Sequence, residues 1–304
     1  MNSGIVVVGS LNMDFVVSVE RLPAPGETVL GRDFRMIPGG KGANQACAAG
    51  KLGARVKMIG RVGYDVFADH LKASLSAVGV DVSAVHASRA QSTGVALIWV
   101  DRNGQNSIVV ASGANHELAA ADVEAMRKLF RGSGLALFQL ETPLDTVAGA
   151  LRLAKQEGLV TILDPAPACP LPGELLALVD ILTPNESEAL ILLGRPPARV
   201  SLDDAPALAG ALCSLGPRTV ILKLGDQGAV LGARHFPAFR VEARDSTAAG
   251  DVFNAALAVA LAEGHAIEEA IPFANAAAAI SVTRLGAQAS VPSRAEVNAL
   301  LGRP

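Results

Sequence analysis

The sequence predicts an α/β fold: a three-layer sandwich with a mostly parallel central sheet, plus a small β-sheet lid. Three observations predict it. Over most of the 304 residues, short β-rich apolar runs alternate with helical stretches, the pattern of a parallel sheet covered on both faces. Two strand-rich hairpin regions, far apart in the chain, break that alternation. Half of the residues are apolar, with 30 Gly and 17 Pro, enough for one large core and a small appendage.

The elements follow in order. Ile5-Val6-Val7-Val8 ends at Gly9-Ser10 and reads as a strand buried on both faces. Runs 15–19 and 28–37 are split by Pro23-Ala24-Pro25-Gly26, turn residues that pair them as antiparallel strands. Pro38-Gly39-Gly40-Lys41-Gly42-Ala43-Asn44-Gln45 then opens an Ala-rich helix to about Leu52. A strand over 56–59, a helix over 65–78 and a second hairpin follow, 95–100 with 107–111 across Asp101-Arg102-Asn103-Gly104, which has turn chemistry at its tip. Next come a helix over 121–130, a strand over 135–140, and a helix opened by Thr142-Pro143 and running to Glu157, with Pro at its first position. Strands over 159–163 and 179–182 precede helices over 186–193 and 205–215, and a strand over 219–224 has its partner at 229–233. The rest is helical: from Asp251 to Glu263, from 267 to about 283, and a last helix capped by Ser293 with Glu296 three residues on.

In the hairpin regions Phe15-Val16-Val17 and Leu97-Ile98-Trp99-Val100 are apolar on successive residues, so both faces of these strands should be covered. Two placements satisfy that requirement. The strands could belong to the core. Alternatively they form one small sheet, from about 13–38 and 94–112, projecting from a single domain of residues 1–304, with one face over a ligand and the other against a second subunit.

Formal charge is 26 minus 29, or −3, without a basic block, so no nucleic-acid partner is expected. Cys47, Cys169 and Cys213 are scattered without metal-ligand spacing, as in a reducing compartment. The amino end leads into a strand without a basic leader, and no apolar run is long enough to span a bilayer. The expectation is a soluble cytoplasmic protein with no membrane partner.

One stretch organises the chemistry: Asp245-Ser246-Thr247-Ala248-Ala249-Gly250-Asp251, followed by the apolar run 255–261. Asp251 should sit in the first turn of a helix whose leading amides lack acceptors. Those amides, of residues 248–251, carry the positive end of the helix dipole, and small side chains let an anion approach. One part can hold a phosphate while the carboxylate takes a proton from whatever attacks it. The same stretch also reads as an ordinary capped helix.

Ligands of open α/β sheets bind beyond the carboxy ends of the strands, and several polar groups fall at that rim: Asn12 and Asp14, Glu141, Asn185 and Glu186, Leu224-Gly225-Asp226-Gln227-Gly228, and Asp251. Each has a plain structural reading too. Asn12 could hold a turn, and Thr183-Pro184-Asn185-Glu186 fits a capping box with Pro at the first helical position. Gly225 and Gly228 suit a hairpin turn. Together they point to a site. A P-loop is excluded because Gly39-Gly40-Lys41-Gly42 lacks the preceding Gly and following Ser/Thr. A dinucleotide fold is excluded because no Gly-x-Gly-x-x-Gly follows the first strand. His70, His86, His116, His235 and His265 are too dispersed for a metal centre.

Residues 39–46 and 245–251 resemble the two signatures of the ribokinase family of carbohydrate kinases, and Thr183-Pro184-Asn185-Glu186-Ser187-Glu188 resembles its nucleotide-side motif. Segments 9–14, 92–96, 165–168 and 283–288 are similar to the ribose-phosphorylating members, and the likeness covers nearly the whole chain. The resemblance implies an α/β body whose β lid doubles as a homodimer clasp. It also implies transfer of the ATP γ-phosphate to the 5-hydroxyl of D-ribose, with Asp251 as general base. The alternatives are a related family kinase acting on 2-deoxyribose, another sugar or a nucleoside, and a non-catalytic sugar-binding sensor, against which the intact Asp251 stretch argues. By matching position, Asn12, Met13, Asp14, Gly40, Lys41, Gly42, Ala43, Asn44, Glu141 and Asp251 would line the sugar. Asn185, Lys223, Leu224, Gly225, Asp226, Gln227, Gly228, Gly250, Asp251 and Asn275 would line ATP. Mg²⁺ would be held through water near Asn185 and Glu186. Asp245, Thr247, Ser281, Arg284, Gly286 and Ser290 match positions around an activating K⁺, largely through backbone carbonyls. Departures from the family pattern are Ser246 for Thr, Ala248 and Ala255 for Gly, Lys223 for Thr or Ser, and atypical side chains at Thr247 and Ser281.

Overall fold

The computed structural model describes residues 3–102 and 104–302. Its first strand, β1 (Gly4–Val8), shows why the sheet is covered twice. Ile5 and Val7 join one apolar core while Val6 and Val8 join another, because successive strand residues face opposite ways. The chain continues through β2 (Asn12–Val19), β3 (Gly31–Gly39), α1 (Lys41–Lys51), β4 (Val56–Gly63), α2 (Val66–Ser76), β5 (Asp81–Ser88), β6 (Gly94–Val100), β7 (Asn106–Ala111) and α3 (Ala120–Ala125). There follow β8 (Ser133–Phe138), α4 (Leu144–Gln156), β9 (Val160–Leu163), α5 (Gly173–Leu176), β10 (Ile181–Leu182), α6 (Glu186–Leu192) and α7 (Ala205–Cys213). The last third holds β11 (Thr219–Lys223), β12 (Ala229–Leu231), β13 (Arg234–Phe236), α8 (Ala249–Ala262), α9 (Ile267–Ser281) and α10 (Arg294–Leu300).

The large sheet runs β13-β12-β11-β10-β9-β8-β1-β4-β5. It is parallel from β11 to β5, with β12 and β13 antiparallel at one edge. Helices α1, α2, α8, α9 and α10 bury their apolar faces in one core, and α3 to α7 in the other. Each fully buried Leu, Ile or Phe contributes about 1.5–3 kcal/mol. The buried faces of α1 and α8 are largely alanine, so the two helices pack closely, and both begin at the same rim of the sheet.

The two hairpin regions make a separate four-stranded sheet, β3-β2-β6-β7. Its seam is parallel: Phe15 of β2 lies opposite Leu97 of β6. Phe15 stacks on Phe34 at 5.9 Å between ring centroids and meets Phe67 of α2 edge-on at 5.5 Å, tying the small sheet to the body. The tip residue Asn103 of the second hairpin lies outside the described residues.

Several boundaries differ from those read in the sequence. The third strand begins at Gly31, not 28, and runs on to Gly39. The helix expected over 121–130 ends at Ala125, and a single 3₁₀ turn, Arg127–Leu129, follows. Pro143 precedes α4 as its cap instead of occupying the first turn. The capping box near 183–186 lies two residues later. Asn185 is the cap, its Oδ1 accepting from Glu188 N at 2.8 Å, and Asn185 N donates to Glu188 Oε2 at 2.8 Å, so Pro184 stands outside the helix. Strands β5 and β13 and the short α5 were not anticipated.

Candidate active site

Strands β1, β8, β9, β10 and β11 all end at one rim, where parallel α/β sheets bind ligands. Asn12, Glu141, Asp164, Asn185 and Lys223 stand at or just beyond those ends, and α1 and α8 start there. Three residues expected against the sugar do not present side chains to the rim. Met13 and Ala43 are packed into the core. Gly42 lies against the backbone of Gly9 and Ser10, where a Cβ would come within 2.6 Å of Ser10 N. These three can serve only through their backbone.

Asp251 is the third residue of α8 and 5% exposed. Asn44 Nδ2 donates to its Oδ2 at 3.0 Å and Gln45 Nε2 to its Oδ1 at 3.1 Å. Gln45 also donates to Asp164 Oδ2 at 3.1 Å, and Gln139 Nε2 holds Gln45 Oε1 at 2.7 Å. Burial, helped by Asp164, pushes the Asp251 carboxyl up to about 6 against the pull of Lys41, Asn44 and Gln45. Such a group is mostly ionised at neutral pH yet able to hold a proton.

The start of α8 is unusual. Ala248 precedes it at φ 59, the one non-glycine residue with positive φ among the described residues, and no side chain caps the helix. Ala249 N donates to Ser246 O at 3.2 Å, so one of the four amides expected to receive an anion is already used. The first-turn amides of Gly250 and Asp251 keep the helix-end charge.

On the neighbouring side, burial raises the Asp14 carboxyl to about 7, with Glu141 and Asp251 adding and Lys41 opposing. The chain crosses here so tightly that Gly40 has no room for a side chain, and one on Gly39 would displace the Asp14 carboxylate. A Cβ on Gly39 would sit 2.2 Å from Asp14 Oδ2, and Gly40, at φ 87, would press one to 2.7 Å from Asn12 N. Glu141 Oε2 accepts from Ser10 Oγ and, at 3.0 Å, from Lys41 N. Burial would lower the Lys41 ammonium, but Asp251, Asp164, Glu141 and Glu188 outweigh it and hold the group charged. Asn115 Nδ2 donates to Asn12 Oδ1 at 2.7 Å, leaving the Asn12 NH₂ for a ligand.

On the other side of Asp251, Lys223 N donates to Pro184 O at 2.8 Å, which sets Asn185 beside Lys223. The Lys223 Nζ lies 3.0 Å from Asp164 Oδ1. Leu224 is buried in the core, while Gly225–Gln227 form one 3₁₀ turn between positive-φ glycines at 225 and 228. Asp226 points outward to Arg199. Asn275 Nδ2 donates to Phe236 O at 3.1 Å and Pro237 O at 3.2 Å. Its amide therefore braces the chain beside Gly228.

Glu186, expected near a divalent ion, has its Oε1 accepting from Val200 N at 2.7 Å. Glu188 stands nearer the charged groups of the site: burial raises its carboxyl, Lys223 opposes, and Asp164 adds. No cluster of three metal-binding side chains exists among the described residues. Asn185 and Glu188, paired at the start of α6, are donors that suit Mg²⁺, which keeps its water and leans on phosphate oxygens and one or two carboxylates.

A second cluster joins two loops behind α8. Asp245 Oδ1 accepts from Thr247 N at 2.9 Å and Oδ2 from Gly286 N at 2.8 Å. Ser281 and Ser290 hydroxyls donate to Ala278 O and Ala287 O, both at 2.8 Å, and Arg284 pairs with Glu296. With these side chains turned elsewhere, backbone carbonyls are the main donors left for a cation.

Sequence reasoning missed Ser10, Gln45, Asn115, Gln139, Asp164 and Glu188. Four were within reach of it: Ser10 and Gln139 flank strand ends, Gln45 lies in the glycine-rich run, and Asp164 directly follows a predicted strand. Glu188 closes the Thr183–Glu188 stretch that resembles the nucleotide-side motif, but a capping box read on Glu186 left it without a role of its own. Asn115 carries no local signal.

The profile of the pfkB family carbohydrate kinases matches residues 2–294. A ribokinase of Haemophilus influenzae is 42% identical over 300 residues, covering 97% of each chain. A deoxyribokinase of Salmonella typhimurium is 37% identical, covering 98% of each. The structure of Arabidopsis thaliana ribokinase complexed with ribose and ATP superposes with a TM-score of 0.91 at 34% identity, covering both chains fully.

Proposed function

This chain belongs to the pfkB family of carbohydrate kinases, and from that membership we propose that it transfers the γ-phosphoryl group of ATP to the 5-hydroxyl of D-ribose, giving D-ribose 5-phosphate and ADP. The observation that carries the reading is the buried Asp251 carboxylate. It stands in the first turn of α8, between the Asn12, Asp14 and Glu141 side and the Lys223 and Asn185 side. Asp251 takes the proton of the 5-hydroxyl as that oxygen attacks the γ-phosphorus, and the bond to the ADP oxygen breaks. General-base help is worth roughly 10²–10⁴-fold. In-line positioning and charge stabilisation supply larger shares.

Asp14 accepts from neighbouring sugar hydroxyls, Asn12 donates through its NH₂, and Lys41 offsets the surrounding carboxylates. The amides of Gly250 and Asp251 face the transferred group. Asn185 and Glu188 would hold the water shell of Mg²⁺, whose charge neutralises the phosphates. Residues 245, 247, 281, 284, 286 and 290 would ring K⁺ through backbone oxygens. The exposed outer strands of the small sheet support a homodimer with the sheet acting as lid and clasp. A cytoplasmic setting suits the three cysteines, all free thiols.

ATP turnover coupled to ADP detection, run with and without D-ribose, is the test. Ribose-dependent ADP release is expected, and its absence in Mg²⁺ and K⁺ buffer would overturn the reading. A second reading, 2-deoxyribose as the sugar, follows from the similarity to a deoxyribokinase. If Asp14 reads the 2-hydroxyl, ribose should be favoured, by up to about 10⁴-fold in kcat/KM. Equal values for the two sugars would favour the second reading.

A further inference from the structure

Lys223 is a buried cation in a location that stability alone does not explain. Its side chain is 13% exposed and that of its partner Asp164 is 4% exposed. Buried ion pairs of this kind contribute little to stability relative to apolar residues of similar size. The ammonium also sits against the first turn of α8: a Cβ added to Gly250 would lie 3.3 Å from Lys223 Nζ. A helix N-terminus carries positive charge and repels cations, so two positive features share one spot. Asp164, Glu188 and Asp251 offset the lysine's charge, and an anion between the ammonium and the α8 amides would be attracted by both.

Asp164 keeps the ammonium there. Its Oδ1 takes the lysine at 3.0 Å, and its Oδ2 is held by Gln45 Nε2, the same amide that donates to Asp251. Gln139 fixes Gln45 in turn. Base and ammonium are thus held by one chain of hydrogen bonds, on the two sides of the first turn of α8.

We propose that Lys223 contacts the transferred phosphoryl group directly, and that Asp164 is the positioning residue that holds it against the α8 amides. The proposal rests on the kinase reading and adds a second cation to it besides Lys41. In the reaction, the ammonium follows the charge on the γ-phosphoryl oxygens as the bond to ADP lengthens, without exchanging a proton.

The test compares Lys223→Met with Lys223→Arg. Removing one charge-stabilising donor costs roughly 10²–10³-fold in kcat, so the Met variant should fall by that factor with ribose KM within about threefold. The Arg variant, which keeps the charge, should recover most of the loss. Binding measured on the resting protein gives an independent readout: Lys223→Met should weaken MgATP at least about tenfold more than MgADP, because only ATP carries the γ-phosphoryl group. Asp164→Asn should lower kcat in the same direction by a smaller factor. If Lys223→Met folds poorly beside an unpaired Asp164, the apolar pair Asp164→Leu with Lys223→Met restores packing, and its kcat should stay low. Turnover within threefold of the parent in either Lys223→Met background, or equal weakening of ATP and ADP, would overturn the assignment. A parent protein that binds ATP but shows no ribose-dependent turnover would instead sink the kinase reading, while the ATP-over-ADP preference would still judge Lys223.

Discussion

At the scale of single residues, two carboxyls set the behaviour of the site with pH. Asp251, raised to about 6, must be ionised to act as base. Turnover should therefore fall about tenfold per pH unit below about 6 and level off above it. Asp251→Asn should lose that limb together with at least about 10²-fold of kcat, while ribose and ATP still bind. Near-parental turnover in that variant would remove the base assignment. Asp14, raised to about 7 from 3.8, makes a different prediction, on stability. Its folded state binds the proton more tightly than the unfolded chain does. Its contribution is fully present below pH 3.8 and is lost as pH rises to about 7, since the unfolded state then holds fewer protons. Asp14→Asn removes that loss. The unliganded variant should match the parent near pH 4 and exceed it above pH 7 by roughly 1–3 kcal/mol, after discounting for solvent screening. Thermal melts across that range measure it, and a variant less stable than the parent at pH 8 would refute the burial argument. Function would suffer in the same variant, because stability and a charged sugar site oppose each other here.

At the scale of elements, the start of α8 is both the most legible feature and the most strained. Small residues running into Asp251 and then an apolar run form a local pattern, and the helix begins two residues before Asp251, which leaves that carboxylate in the first turn as the pattern requires. The same holds for β1, whose β-branched run needs no context. Edge elements were harder to read. In β5, Asp81-Val82-Ser83-Ala84-Val85-His86 carries a broken, half-exposed pattern, and its pairing with β4 is a tertiary fact. Asn115 orients Asn12 across more than a hundred residues of chain, a link that no window of sequence contains. The αL conformation of Ala248 has no local signal beyond its place where glycine is usual in the family. An L-residue there costs about 1–2 kcal/mol, whereas glycine adds about 0.5–1 kcal/mol of chain entropy. Ala248→Gly should therefore stabilise the protein by about 0.5–1 kcal/mol, read as a higher urea midpoint at unchanged slope. A lower midpoint would mean that the Ala248 methyl group contributes packing that outweighs the strain.

At the scale of the whole molecule, the proposed homodimer would have to cover the exposed apolar side chains of the small sheet. Leu30, Phe34, Met36, Leu97, Ile108, Val109 and Val110 are each more than 40% exposed, and exposed apolar side chains grouped on one face of a sheet mark contact surfaces. Strand register sorts them by face. Met36, Phe15, Leu97 and Val109 lie abreast on one face, and Ile37, Asp14, Ala96 and Val110 on the other. The first face is anchored at Phe15 to Phe67 of the body. The second carries Asp14, which we propose reads the sugar, and Ile98 with Ile108 beside Val110. A second copy packing its own sheet there would cover Ile108 and Val110 on the same face that carries Asp14, so assembly and substrate affinity should be linked. Ile108→Lys with Val110→Lys inserts two charges into that contact without touching either core of the body. In sedimentation velocity the parent should run at about twice the 31.1 kDa chain mass and the double variant at the chain mass. The variant's ribose KM should rise at least about tenfold, with kcat changed little, because the base, the α8 amides and Lys223 all sit in the body. A double variant that sediments with the parent would exclude this face as the contact. A monomeric variant with unchanged ribose KM would separate assembly from sugar binding.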